Sequence, residues 1–246
     1  MPIFRLNTTV EFPPAELAEP DGLLAVGGDL SIERLLEAYR LGIFPWYTEG
    51  SPLLWWSPAP RLILLPREFH LPRRVARSIR KQNFTVTADT AFSLVIEKCA
   101  ECRGKNREST WITAAMKNAY IRLHELGYAH SIECWQKNML AGGLYGVALD
   151  RIFFGESMFS AVTDASKIAF HALVQHATAT NIRVIDCQIR TEHLVRFGAR
   201  EISRKEFQLL LRDCIRSMRP QKKWRLHWTE KEEIGPAGAC REERKR

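Results

Sequence analysis

The sequence predicts an α+β fold, and three observations carry the prediction. The first is the stretch from Arg151 to Gln188. An apolar run, Arg151-Ile152-Phe153-Phe154, breaks at Gly155-Glu156-Ser157-Met158-Phe159-Ser160. A helical stretch follows from Asp164 to Thr180, and Val184-Ile185-Asp186-Cys187-Gln188 closes the unit. This reads as strand, glycine-marked bend, helix and strand, a crossover that buries its helix on a sheet. The second is a hairpin: Ala129 to Gln136 and Met139 to Ala148 are two strands joined at Lys137-Asn138. The third is a change of character near Arg61. Glycine, proline and tryptophan crowd the chain before it, and regular strand and helix patterns follow it. Residues 1–60 are therefore expected to form a small N-terminal domain and 61–228 the main one.

Taken in order, residues 1–20 are Pro-spotted and extended. The glycines of Asp21 to Ser31 predict a tightly turning backbone, after which Ser31 caps a helix from Ile32 to Leu41 that Gly42 ends. Gly42-Ile43-Phe44-Pro45-Trp46-Tyr47 and Leu54-Trp55-Trp56-Ser57-Pro58 are rigid loop or short strand, whose aromatics can pack as core or stack on a base. Arg61 to Leu65 is a strand. Arg73 to Lys81 is an amphipathic helix with five basic residues: Arg73, Arg77 and Arg80 share one face, flanked by Arg74 and Lys81, while Val75 and Ile79 share another. Phe84 to Thr87 is a strand, Phe92 to Ala100 a helix, and Glu101 to Ser109 a mobile polar loop. Thr113 caps a helix from Ala114 to Leu126, ended by Gly127. Glycines 142, 143 and 146 in the second hairpin strand point to close approach by a ligand. Asp164 or Thr163 caps the crossover helix, and Phe207 to Met218 is the last helix. Residues 229–246 form a charged tail, disordered at its end.

Composition narrows the function. The chain has 246 residues, 46% hydrophobic content and seven Trp, enough for a large core. Its net charge of +8 favours a polyanionic partner such as RNA. The start, Met1-Pro2-Ile3-Phe4-Arg5, lacks the pattern of a signal peptide, and no stretch has the length of a membrane span. A cytoplasmic protein with reduced thiols is expected. Cys99-x-x-Cys102 stands without a second pair or a His cluster, so no metal site is expected. Ser160-Ala161-Val162-Thr163 has no glycine, which argues against an acetyl-CoA pyrophosphate loop; no cofactor is expected.

The candidate site lies on the crossover unit. Asp186 and Gln188 are two apart in a strand and so share a face, and Glu156 sits where the preceding strand bends. Singly, each reads as a capping, salt-bridging or edge-strand polar residue. Together they mark a site, which a noncatalytic RNA-binding module would not need.

With these residues in view, the chain resembles the leucyl/phenylalanyl-tRNA–protein transferases. The resemblance rests on Pro20-Asp21-Gly22-Leu23-Leu24-Ala25 with Gly27-Gly28-Asp29-Leu30, then Gly42-Ile43-Phe44-Pro45-Trp46, Trp55-Trp56-Ser57-Pro58 and Trp111-Ile112-Thr113. It continues through His124-Glu125-Leu126-Gly127, Gly143-Leu144-Tyr145-Gly146-Val147, Phe154-Gly155-Glu156-Ser157-Met158-Phe159-Ser160 and Ile185-Asp186-Cys187-Gln188. It implies a GNAT-like acyltransferase domain with a central mixed sheet flanked by helices. It also implies transfer of Leu or Phe, less well Met, from aminoacyl-tRNA to proteins with N-terminal Arg or Lys, a degradation signal of the N-end rule pathway, by a monomer. In that reading Asp186 polarises Gln188, the catalytic group, and Glu156 holds the cationic acceptor. Leu144, Phe153, Gly155, Met158, Phe170 and Ile185 form the amino-acid side-chain pocket; Leu144 stands where the family is expected to have Met. Trp46 and Trp111, with Tyr39 and Tyr120, are expected to wall the terminal adenosine, and the Arg73–Lys81 helix to follow the tRNA backbone.

Overall fold

The computed structural model describes residues 3–81, 84–104 and 111–229. Two sheets organise it. The first is small. Strands β1 (Phe4–Leu6), β2 (Leu23–Gly27), β3 (Phe44–Pro45) and β4 (Leu54–Trp56) lie in the order β1-β2-β4-β3, with helix α1 (Ile32–Arg40) packed beside them. The stretch read as a tight turn is thus strand β2. Its glycines bracket the strand instead of breaking it: Gly22, Gly27 and Gly28 take φ of 99°, 89° and 75° at its two ends. Ser31 occupies the N-cap position of α1, but its side chain makes no cap bond; its own N–H donates to Asp29 Oδ1 at 2.9 Å. Past the end of α1, Gly42 (φ 74°) turns the chain, and a Cβ there would lie 2.8 Å from Phe207 Cε1.

The second sheet has eight strands. Along the chain come β5 (Arg61–Leu64), α2 (Arg73–Lys81), β6 (Thr85–Ala88), α3 (Phe92–Gly104) and α4 (Ala114–Glu125). Next are β7 (Ala129–Gln136), β8 (Met139–Leu149), β9 (Ile152–Ser160), α5 (Ala165–Ala179) and β10 (Val184–Gln188). α6 (Glu192–Val195), β11 (Arg200–Ile202), α7 (Arg204–Cys214) and β12 (His227–Thr229) complete the described chain. The strand order is β11-β5-β10-β9-β8-β7-β6-β12. β9 and β10 run parallel and the remaining pairs are antiparallel, so the sheet is mixed. Period-two alternation assigns each strand's side chains to two cores. Ile152, Phe154 and Val184 face the core shared with α1, α3, α4 and α7; Phe153 and Ile185 face the core covered by α2 and α5.

Several local expectations meet their physical cause here. Lys137 and Asn138 both have positive φ, as a two-residue hairpin turn requires. Thr113 Oγ1 accepts the Met116 N–H at 3.2 Å and caps α4. Asp164 precedes α5 in a left-handed conformation (φ 69°) and makes no cap bond; its carboxylate takes Lys167 Nζ at 2.5 Å instead. The glycines of β8 answer to the protein itself and not to a ligand. A Cβ on Gly142 would fall 2.6 Å from Ala165 Cβ, and one on Gly146 would fall 2.1 Å from Phe154 O. Gly155 does not end its strand; β9 runs through it to Ser160. The polar loop read as mobile lies largely outside the described residues, since α3 continues to Gly104. The tail expected to be disordered lies outside them as well. Among the described residues no helix is long and apolar enough to cross a membrane.

Candidate active site

The parallel pair β9/β10 stays in register only over Val184↔Ile152, Ile185↔Phe153 and Asp186↔Phe154. Beyond it both strands bulge. In the β8–β9 ladder Gly146 faces Gly155 and Tyr145 faces Ser157, which leaves Glu156 as the extra residue. In the β5–β10 ladder Ile63 faces Asp186 and its neighbour Leu62 faces Gln188, which leaves Cys187 extra. Gln188 itself has φ 61°. Two adjacent bulges re-aim their side chains and end the pairing. A cavity of about 420 Å³ opens at that place.

The apolar wall of the cavity contains Leu144, Phe153, Gly155, Met158, Phe170 and Ile185, and Trp46 and Trp111 also line it. Glu156, Asp186 and Gln188 supply its polar head. Trp46 is 40% exposed, its ring 5.7 Å from that of Trp56. Tyr39 and Tyr120 are not part of this wall. Their rings are 1% and 0% exposed, too buried to stack on a base. They act from behind: the two hydroxyls hydrogen-bond each other, and Tyr120 donates to Glu156 Oε2 at 3.0 Å.

Glu156 accepts on its other oxygen from Gln188 Nε2 at 2.9 Å. It is 8% exposed and lines the cavity, so any partner it meets must enter there. Burial pushes its carboxyl up to about 7, against the opposing effect of the two tyrosine hydroxyls. The same burial, with Glu156 beside them, drives both tyrosines well above their ordinary range, so they remain neutral donors.

The relation between Asp186 and Gln188 differs from the expected one. Bulging breaks the strand alternation on which a shared face depends, and the Gln188 amide is held by Glu156. The fully buried Asp186 carboxylate takes Arg61 in a fork, Nε to Oδ1 at 2.9 Å and Nη2 to Oδ2 at 2.6 Å. Its Oδ1 also accepts the Gln188 backbone N–H at 2.9 Å, which fixes the bulge. The Arg61 guanidinium lies over Phe44 and Phe207, at 4.9 and 4.6 Å from the ring centroids. The cavity thiol, Cys187, is pushed far up by burial and by Asp186 beside it, which leaves no thiolate for nucleophilic work. His193 also lines the cavity, and burial lowers its affinity for a proton.

Sequence reasoning missed Arg61, which reads as the first residue of an apolar strand. Its partner is 125 positions away, so no local pattern announces the pair. On α2, Val75 and Ile79 are buried while Arg73, Arg74, Arg77, Arg80 and Lys81 are all exposed, as the amphipathic pattern requires. Among the described residues no group of His, Cys, Asp and Glu is arranged to hold a metal ion.

The family model described as leucyl/phenylalanyl-tRNA protein transferase matches residues 63–212, and the model of that family's N-terminal domain matches residues 28–59. The chain belongs to the leucyl/phenylalanyl-tRNA protein transferase family. The transferase of that name from Syntrophobacter fumaroxidans is 58% identical over 215 residues, 87% of this chain and 92% of its own. The one from Anaeromyxobacter dehalogenans is 54% identical over 226 residues, 92% and 97%. Among solved structures, FemX is 11% identical over 73% of this chain and 71% of its own, with a TM-score of 0.44. The transferase is thus an aminoacyltransferase with a small N-terminal domain, moving an aminoacyl group from tRNA to protein.

Proposed function

We propose that the transferase carries Leu or Phe, and less well Met, from aminoacyl-tRNA to the α-amine of proteins beginning with Arg or Lys, in the cytoplasm and as a monomer. The product is a degradation signal of the N-end rule pathway. The observation that carries this reading is the Gln188–Glu156 pair at the head of an apolar cavity. The donor side chain enters between Leu144, Phe153, Gly155, Met158, Phe170 and Ile185. Burial at about 25 cal/mol per Å² favours Leu and Phe over Ala, and a difference of one or two methylenes is worth only about 1–3 kcal/mol, which lets Met through. Trp46 and Trp111 take the terminal adenosine by stacking.

The ester is already activated, so the enzyme has to align an amine and move one proton. With Nε2 committed to Glu156, the Gln188 carbonyl oxygen is the atom left to accept a bond from the attacking amine. The nitrogen attacks the ester carbonyl, the bond to the ribose oxygen breaks, and the proton leaving the nitrogen returns to that oxygen through Glu156. A carboxyl near 7 is suited to both halves of that exchange. Incubating the protein with radiolabelled Leu-tRNA and an Arg-starting peptide tests the reading; absence of label in the peptide would refute it.

Transfer per bound donor should rise from pH 6 to pH 8, because Glu156 ionises near 7 and the acceptor amine loses its proton near 8. A rise no steeper than the amine's own ionisation would remove Glu156 from the proton path. The exposed cations of α2 should follow phosphates without reading sequence, so affinity for tRNA should fall steeply with salt. Changing Arg73, Arg77 and Arg80 to Glu is expected to weaken use of full-length Leu-tRNA and flatten its salt dependence. A short aminoacyl-nucleotide should be affected little. Wild-type binding by the triple variant across a salt titration would reduce α2 to a solvated face.

A further inference from the structure

The chain after α7 has no regular structure until β12, and it lies beyond the region the family model matches. It carries Trp224, only 6% exposed. The indole sits behind Phe153, with ring centroids 5.6 Å apart at 39°. Phe153 is held from the other side by β8, where a Cβ on Gly146 would fall 2.5 Å from its Cζ. Its ring therefore has the donor cavity before it, Gly146 against its edge and Trp224 at its back.

Trp224 is itself fixed by more contacts than anchoring a chain end needs. Its ring stacks on His130 at 4.3 Å and 4°, and lies 4.3 Å from His176. Its backbone N–H donates to Asp89 Oδ2 at 2.6 Å, and its indole N–H donates to Gln221 Oε1 at 3.1 Å. Asp89 also takes His130 Nδ1 at 2.7 Å and the Ser131 N–H at 2.9 Å. Gln221 is tied to the backbone of Gly127 and Asp150. These contacts hold the buttress in place, and it limits how far Phe153 can yield to a bulky side chain.

We propose that Trp224 determines the depth of the donor side-chain pocket through Phe153, and so sets the balance between large and small donor residues. This rests on the pocket reading given above. Close-packed interiors transmit a change of volume to their neighbours. A smaller residue at 224 leaves space into which Phe153 backs, and the cavity deepens by that amount. Deepening separates donors by size, whereas a purely structural defect lowers all of them alike.

The test uses the full chain with Trp224→Leu and Trp224→Phe. Transfer is followed with Leu-, Phe- and Trp-tRNA, and affinity with nonhydrolysable leucyl- and phenylalanyl-adenosine amides. Trp224→Leu should raise the Phe-to-Leu ratio on the order of tenfold in both assays and admit Trp, since one or two methylenes discriminate by that order. Trp224→Phe should move the ratio the same way by less, and it decides the matter alone if Trp224→Leu does not fold. An equal loss for all donors, or an unchanged ratio, would overturn the proposal. A wild-type protein that binds neither amide overturns the pocket reading and this inference with it. If wild type binds both amides but labels no peptide, only the transfer reading fails, and the binding ratio still decides the role of Trp224.

Discussion

Asp186→Ala is expected to cost both stability and transfer, and only the stability should return when Arg61→Met is added. Arg61 and Asp186 are 1% and 0% exposed and meet in a two-point fork. Removing one partner leaves the other charge buried and alone, which costs about 3–5 kcal/mol, whereas replacing both by apolar groups is often nearly neutral. Met at 61 also forfeits the guanidinium contacts with Phe44 and Phe207, so the recovery will be incomplete. Transfer has a separate reason to fail. The Asp186 carboxylate is the acceptor for the Gln188 N–H, and without it the bulge that aims Gln188 at Glu156 loses its anchor. Urea unfolding and single-turnover transfer on the two variants measure the two effects independently. An Asp186→Ala enzyme with wild-type turnover would strike the carboxylate from the mechanism. A double variant with restored turnover would show that only the ion pair matters.

The distribution of what the sequence reveals has a physical logic. α2 reads correctly because its pattern is local: Val75 and Ile79 recur at helical spacing, and the cations fill the rest. The hairpin turn at Lys137-Asn138 and the Thr113 cap are local too. β2 misleads because its glycines lie at the strand's ends, where they serve turns, and composition does not say on which side of a glycine the chain is extended. The site itself divides along the same line. Glu156, Asp186 and Gln188 stand out because polar residues interrupt apolar strands. What each one touches does not, because the partners are distant: Arg61 for Asp186, and Tyr120 for Glu156, with Tyr39 behind it. Strand alternation gave a shared face for Asp186 and Gln188, and the bulge at Cys187 overrides it. A bulge inserts one residue without a compositional mark. Trp224 is invisible for a further reason: it sits in a basic segment, Lys222-Lys223-Trp224-Arg225, that reads as solvated surface.

Gln188→Ala and Glu156→Gln should each lower transfer by about 10²–10³ while leaving donor affinity close to wild type, the range that positioned acid–base groups contribute. The two losses should not add in the double variant, because Gln188 and Glu156 act through one contact, and losing either the amide or the carboxyl's charge disables the same unit. Glu156→Gln carries a second signature. The folded-state value near 7 lies above the ordinary 4.5, so the folded protein holds this proton more tightly than the unfolded chain does. That contribution to stability is full below about 4.5 and is lost as the pH rises through 7. A Gln at 156 has no proton to lose, and it can still accept from Gln188 while its own NH2 faces the Tyr120 oxygen. Relative to wild type, the variant should therefore become more stable between pH 5 and pH 8, while its transfer stays low and rises less steeply, keeping only the part due to the acceptor amine. Guanidinium unfolding at the two pH values, beside a pH–rate profile, measures both at once. A variant whose unfolding follows the wild-type pH dependence would place the titrating carboxyl elsewhere, and a variant whose rate rises as steeply as wild type through 7 would assign the proton to another group.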